Sequence, residues 1–150
     1  MGYRSKRSTR RQKVKVTCKT NKIGENFSTE TASRLKRYIS IGDDELKIEI
    51  GKEYVVYGIE LWDNCPWLYI CAETYDEYPK PFALDFFEIS DKKLSSHWIL
   101  KSKETHNNKN KTQFVFQEWA EDDSFYENLV NEDQTCITIF NRYKKLIDTE

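Results

Sequence analysis

Glycine is scarce in this chain, five in 150 residues, and proline scarcer at three; methionine occurs once and histidine twice. So little glycine leaves no material for a phosphate-cradling loop, and no GxSxG, HExxH or DxDxDG pattern is present. Neither His97, in SSHWIL, nor His106, in THNNKN, stands in a catalytic or metal-binding motif, and nothing assembles a nucleophile, a base and an orienting group. We therefore expect no enzyme and no cofactor. The four cysteines, Cys18, Cys65, Cys71 and Cys136, show neither CxxC spacing nor a neighbouring histidine, so buried free thiols are expected rather than a metal site or disulfides. No apolar run approaches the roughly 18 residues of a membrane span. The opening MGYRSKRSTRRQKVKV carries charges with no hydrophobic segment behind them, so we expect no membrane contact, no secretory signal and a cytoplasmic protein.

What the chain does hold is aromatic and charged. Hydrophobic residues make up 38% and aromatics 14%, enough to build a core, and 17.9 kDa suits one compact domain. The net charge of -1 conceals a division. Residues 1–22 carry nine Lys and Arg and no acid, which leaves fifteen bases against twenty-five acids in the remainder. Within that remainder, Glu60 to Asp91 holds eight acids against Lys80 alone, and Glu118 to Asp133 holds seven acids and no base. Such density of one sign repels nucleic acid and steers basic proteins. The arm invites the opposite partner, since Arg4, Arg7, Arg10 and Arg11 are of the type that contacts phosphate, although only Tyr3 supplies an aromatic there.

Along the chain, Lys13 to Lys19 alternates as a half-buried strand, and STETASRLKRYIS from Ser28 has a capping serine with Ala32, Leu35 and Ile39 at helical spacing. Leu46, Ile48 and Ile50 alternate before Gly51, which predicts a strand, a turn and a second strand over Tyr54 to Leu61. Asp63, Asn64 and Pro66 are turn residues, so Tyr54–Leu61 and Trp67–Glu73 should form a hairpin. DFFEISDKKL reads as the last strand of the core, and KETHNNKNKT as a polar loop. Residues 113–120, QFVFQEWA, suit either strand or helix. Residues 134–140 belong to a C-terminal helix by the spacing of Ile137, Phe140, Tyr143 and Ile147, although Thr135, Ile137, Thr138 and Ile139 would tolerate a strand; Asn131 is a candidate cap. The expected fold is α+β: a small antiparallel, curled SH3-like sheet or barrel with a short inserted helix and a C-terminal helix packed on it. The expected organisation is a flexible basic arm over 1–12 and one domain over 13–150, with a β core to about 100 and a helical part over about 113–148.

The stretches LKIEIGKEYVVYGI, WLYICAETYDEYPKPF and FFEISDKKLSSHW together resemble small bacterial SH3-like β proteins of the immunity type, which occur beside contact-dependent growth-inhibition and other polymorphic toxins. The resemblance covers roughly Val14 to Trp98 and implies the SH3-like fold and an inhibitor of a toxin as the function; it transfers no functional residue. An inhibitor that covers a nuclease groove gains by offering carboxylates where phosphate would lie and by anchoring with Tyr and Trp. The candidate contacts with a basic toxin domain, a nuclease by this reasoning, are Trp62, Asp63, Trp67, Tyr69, Glu73, Tyr75, Asp76, Glu77 and Tyr78, with Glu121, Asp122 and Asp123 as a second edge. The alternative is an SH3-like nucleic-acid-binding module of phage or mobile-element origin that uses the basic arm. The same carboxylates in the role of catalytic pair or cation ligands are a weaker reading, because nothing marks two of them out.

Overall fold

The computed structural model describes residues 12–24, 26–39, 46–104 and 110–150; the arm with Arg4, Arg7, Arg10 and Arg11, and His106, lie outside the described residues. The fold is α+β, with every strand pair antiparallel. Strand β1 (Val14–Cys18) buries Val14, Val16 and Cys18 on one face, as its alternation requires. It lies between β2 (Glu53–Val55) and β6 (Phe87–Lys92) in a three-stranded sheet. The five other strands, β3 (Gly58–Trp62), β4 (Cys65–Ile70), β5 (Lys80–Ala83), β7 (Trp98–Glu104) and β8 (Asn110–Phe116), form a second sheet in the order β5-β4-β3-β8-β7. Both orders have ends, so the barrel considered from the sequence does not close.

Helix α1 (Thr29–Tyr38) begins where the sequence indicates: the Ser28 hydroxyl accepts from Thr31 N–H at 3.1 Å, Glu30 sits in the first turn, and Lys36 and Arg37 sit in the last. The helix buries Leu35, and its last residue, Tyr38, meets Trp67 edge to face at 5.6 Å. Leu46 to Ile50, expected as a strand, is not one. Only Ile48 of the three is buried, and Ile50 is exposed. A period-two pattern becomes a strand only beside an open edge, and β1 already has a neighbour on each side. The segment is held instead by Asn21, whose carbonyl accepts from Leu46 N–H and whose amide donates to Ile48 O at 3.2 Å.

The expected strand Tyr54–Leu61 is two strands in two sheets. Val56 N–H donates to Val14 O at 3.0 Å, whereas Tyr57 N–H donates to Tyr69 O at 2.9 Å, so the chain changes sheets between these residues. At the hairpin tip Asp63 (φ 49°) and Asn64 (φ 58°) take the paired positive φ of a two-residue type I′ turn. Pro66, read as a turn residue, belongs to β4 opposite Leu61. The tight turn makes Trp62 and Cys65 the hydrogen-bonding pair, so the missing N–H of Pro66 points away from β3, and β5 pairing starts only at Trp67.

The β core also runs past residue 100: β7 and β8 pair closely, and β8 is inserted beside β3. The open stretch 113–120 is both alternatives in turn, strand to Phe116 and helix α2 from Gln117 to Glu121. Helices α3 (Phe125–Val130) and α4 (Gln134–Asp148) follow. The cap of α4 is Asp133, which accepts from Cys136 N–H at 3.0 Å; Asn131 ends α3. Residues 134–140 are helical because Cys136, Phe140 and Ile147 fall on one face and are buried. Phe140 meets Tyr57 at 5.8 Å and Tyr143 stacks on Phe116 at 4.1 Å, so the helix seals the junction of the two sheets. Lys13 Nζ on Asp148 O (2.5 Å), Tyr57 Oη on Asp148 Oδ1 (2.5 Å) and Ser96 N–H on Glu150 Oε2 (3.2 Å) fasten its end. One buried cluster extends from Val14 to Ile147. No described helix is long and apolar enough to cross a membrane.

Candidate acidic recognition surface

The twelve candidate contacts fall into four environments. Trp67 and Tyr69 are core residues, 7% and 6% exposed, and offer a partner almost no surface. Both faces of β4 are covered: on one, Tyr38 lies on Trp67, and Trp119 and Tyr126 lie on Tyr69 at 4.7 and 5.0 Å, and on the other Leu68 and Ile70 are buried. Trp62 and Asp63 sit at the hairpin tip, the other end of β4 from Glu73. Trp62 is half-buried against the core, and Asp63 accepts from Tyr38 Oη with Arg37 at 3.8 Å.

Asp123 is neutralised. It accepts from Lys103 at 2.5 Å and from Lys101 at 2.9 Å, and these two ammonium groups hold its carboxyl down at about 2. The neighbouring cleft, about 280 Å³, is self-compensated in the same way. Its half-buried carboxylate, Glu60, takes Gln113 Nε2 at 2.9 Å, Lys111 Nζ at 3.3 Å and Tyr69 Oη at 3.4 Å. Burial first, then Glu60, raises the Tyr69 hydroxyl well above the usual tyrosine range, so it stays protonated and can donate to Glu60.

The remaining residues are brought together. Glu73 to Tyr78 forms a loop closed on itself: Asp76 Oδ2 accepts from Glu73 N–H at 3.0 Å and Asp76 N–H donates to Glu73 O at 3.1 Å. This local bonding leaves Glu77 and Tyr75 exposed, the latter 75% so. Tyr126 of α3 joins the loop to the helices. Its hydroxyl donates to Pro79 O at 2.8 Å, its ring meets Tyr78 at 6.4 Å, and it stacks on Trp119 at 5.7 Å. Next to that joint α2 and α3 present Glu121, Asp122 and Glu127 to solvent. Gln117 bonds Glu121 at 2.6 Å, and Asp122 accepts from Ser124 N–H at 2.9 Å. Among the described residues none of Glu73, Asp76, Glu77, Glu121, Asp122 and Glu127 enters an ion pair. Glu118, in contrast, is taken by Tyr143 at 2.7 Å and Arg142 at 2.6 Å.

Six carboxylates outside any ion pair thus stand on two segments that Tyr126 joins, the loop also carrying the exposed Tyr75, while Asp122 and Glu127 border the cleft that holds Lys101, Lys103 and Lys111. Such a surface attracts cations on a partner and has an aromatic to anchor them. Among the described residues no group of three or more His, Cys, Asp and Glu is placed to hold a metal. The described thiols are free, and burial pushes Cys65 and Cys71 up to about 11 and 12, so they stay protonated at neutral pH. Glu127 and the joining Tyr126 were not among the sequence candidates. Glu127 lies in the acidic block that the composition marks, whereas the contact of Tyr126 spans 47 residues and leaves no local signal. No protein-family model matches the chain, and neither curated proteins nor solved structures show a significant match to it.

Proposed function

We propose that this chain is an immunity or inhibitor protein, not an enzyme, that binds and neutralises a basic toxin domain in the cytoplasm. The toxin is a nuclease on this reading, because the groove of a nuclease must be basic to hold phosphate. The observation that carries the reading is the Tyr126 to Pro79 joint, which sets the acidic loop Glu73–Tyr78 beside the carboxylates of α2 and α3. The contacts are Glu73, Tyr75, Asp76, Glu77 and Tyr78, with Glu121, Asp122 and Glu127 as the second edge. Trp67 and Tyr69 act from below as support, and Asp123 orders the α2–α3 link through its lysines.

Affinity capture from source lysate, with nuclease treatment, should yield one stoichiometric basic protein. Binding kinetics of that pair then test the surface. Replacing Asp76 and Glu77 by Lys should cut the association rate by about tenfold or more at low salt, with the deficit shrinking as salt rises. The same reversal at Glu88, exposed on β6, should change it little. Unchanged association by the double variant removes the loop from the interface. Capture of nucleic acid alone, lost on nuclease treatment, overturns the inhibitor reading.

A further inference from the structure

The five-stranded sheet has two edges that differ in kind. The β5 edge is four residues long and carries Lys80 and Pro81, two devices that stop a strand from recruiting another. The β7 edge, WILKSKE, is seven residues long without proline or glycine, and among the described residues nothing pairs with its outer side. Phe82, Leu68, Ile59, Phe114 and Leu100 stand in direct register across all five strands, so they form one apolar row on one face. The row is buried at β5 and β4 and ends at Leu100, which is 65% exposed. Lysines commonly protect such an edge. Here Lys101 and Lys103 point to the opposite face, where Asp123 holds both.

We propose that a second copy of this chain pairs with β7 antiparallel about Leu100, so that the two sheets become one ten-stranded sheet with a continuous apolar row. The register follows from charge and the apolar row together, since charge alone would also admit Ile99 at the centre but only Leu100 continues the row. Centred on Leu100, the pairs are Leu100 with Leu100, Ile99 with Lys101 and Trp98 with Ser102, and no lysine faces a lysine. Centring on Lys101 or Ser102 would set Lys101 against Lys101 or Lys103. β7 has two lysines against one carboxylate, Glu104, and a second copy suits it because in this register Lys101 faces Ile99 while each exposed Leu100 meets its own counterpart. This pairing does not depend on the inhibitor reading, and it leaves the loop Glu73–Tyr78 on the other side of the sheet order.

The test is the mass in solution of the full chain, by light scattering and sedimentation over a wide concentration range. A dimer is expected, and Leu100→Lys should yield a monomer with unchanged circular dichroism and melting. Oxidation with diamide should link Leu100→Cys chains across the axis through a disulfide and leave Leu61→Cys chains, two strands further in, unlinked. A monomer at all concentrations, a dimer indifferent to Leu100→Lys, or equal cross-linking at both positions would each overturn the proposal.

Discussion

Tyr126→Phe is the substitution that isolates the joint of the acidic surface. It keeps the ring that stacks on Trp119 at 5.7 Å and meets Tyr69 and Tyr78, and deletes only the hydroxyl that donates to Pro79 O at 2.8 Å. Pro79 is fully buried, so its carbonyl gains no ready access to water when the donor goes. A neutral hydrogen bond of this kind contributes about 1 kcal/mol net, and leaving a buried acceptor unmet raises the cost to about 1.5 kcal/mol. For a chain of this size that lowers Tm by about 3–6 °C. The loop should feel the loss most directly. With the joint weakened by about 1.5 kcal/mol, its open population rises about tenfold, and exchange of the Glu73 and Asp76 amides should accelerate by about the same factor. Thermal melting and hydrogen exchange on the same samples measure both. If the exchange of these amides is unchanged while Tm falls, the hydroxyl stabilises the core without holding the loop, and the two acidic edges are not joined by this bond.

Gly58→Ala would place a Cβ 3.0 Å from Val115 Cγ1 and 3.1 Å from Trp119 Cζ3, both in the core, so urea unfolding should show a loss of about 1–3 kcal/mol. Asp133→Ala removes the cap from Cys136 N–H and should cost about 1 kcal/mol by the same assay; a neutral result would mean that the packing of Phe140 and Ile147 alone sets the start of α4. Asp123 is held at about 2, against 3.8 when free, by Lys103 and Lys101. A depressed carboxyl stabilises above its unfolded value and loses that contribution as pH falls to its folded value, so the window is about pH 4 down to about 2. Asp123→Asn should therefore melt with a shallower pH dependence across that window, and an identical slope would refute the pairing.

The parts of the fold that were legible in the sequence are those fixed by local chemistry. Ser28 caps its own helix, Val14, Val16 and Cys18 alternate on their own strand, and Asp63-Asn64 supplies its own turn. What was not legible depended on who lies alongside. Leu46, Ile48 and Ile50 have the right period for a strand, but β2 and β6 hold the places beside β1 and the segment bonds to Asn21 instead. Tyr54 to Leu61 has the composition of one strand, yet Val56 bonds to β1 and Tyr57 to β4, a switch that only the two partners determine. Lys103 to Thr112 read as a polar loop, yet β7 runs to Glu104 and β8 begins at Asn110, because the polar side chains at the end of this hairpin carry no apolar signal while their backbones pair.

The same distinction explains why the acidic and aromatic tract divides as it does. Alternation of rings and carboxylates along Leu61 to Phe82 would make a uniform surface only if the tract were one strand with one wet face. It is a turn, a strand and a loop instead, and the strand, β4, is covered on both faces, so Trp67 and Tyr69 go inside. The ends of the tract stand at opposite ends of β4, and Trp62 and Asp63 are thereby separated from Glu73 to Tyr78. Charge obeys a further rule that no linear count contains: a carboxylate matters to a partner only when its own fold leaves it uncompensated. Asp123 lies in a block of seven acids with no base, yet Lys101 and Lys103 reach it from β7. Glu127, in the same block, enters no ion pair among the described residues, although it lines the cleft that also holds Lys101, Lys103 and Lys111. The surface that can attract a basic partner is therefore smaller than the acidic tracts and is assembled from both, at the point where Tyr126 ties one to the other.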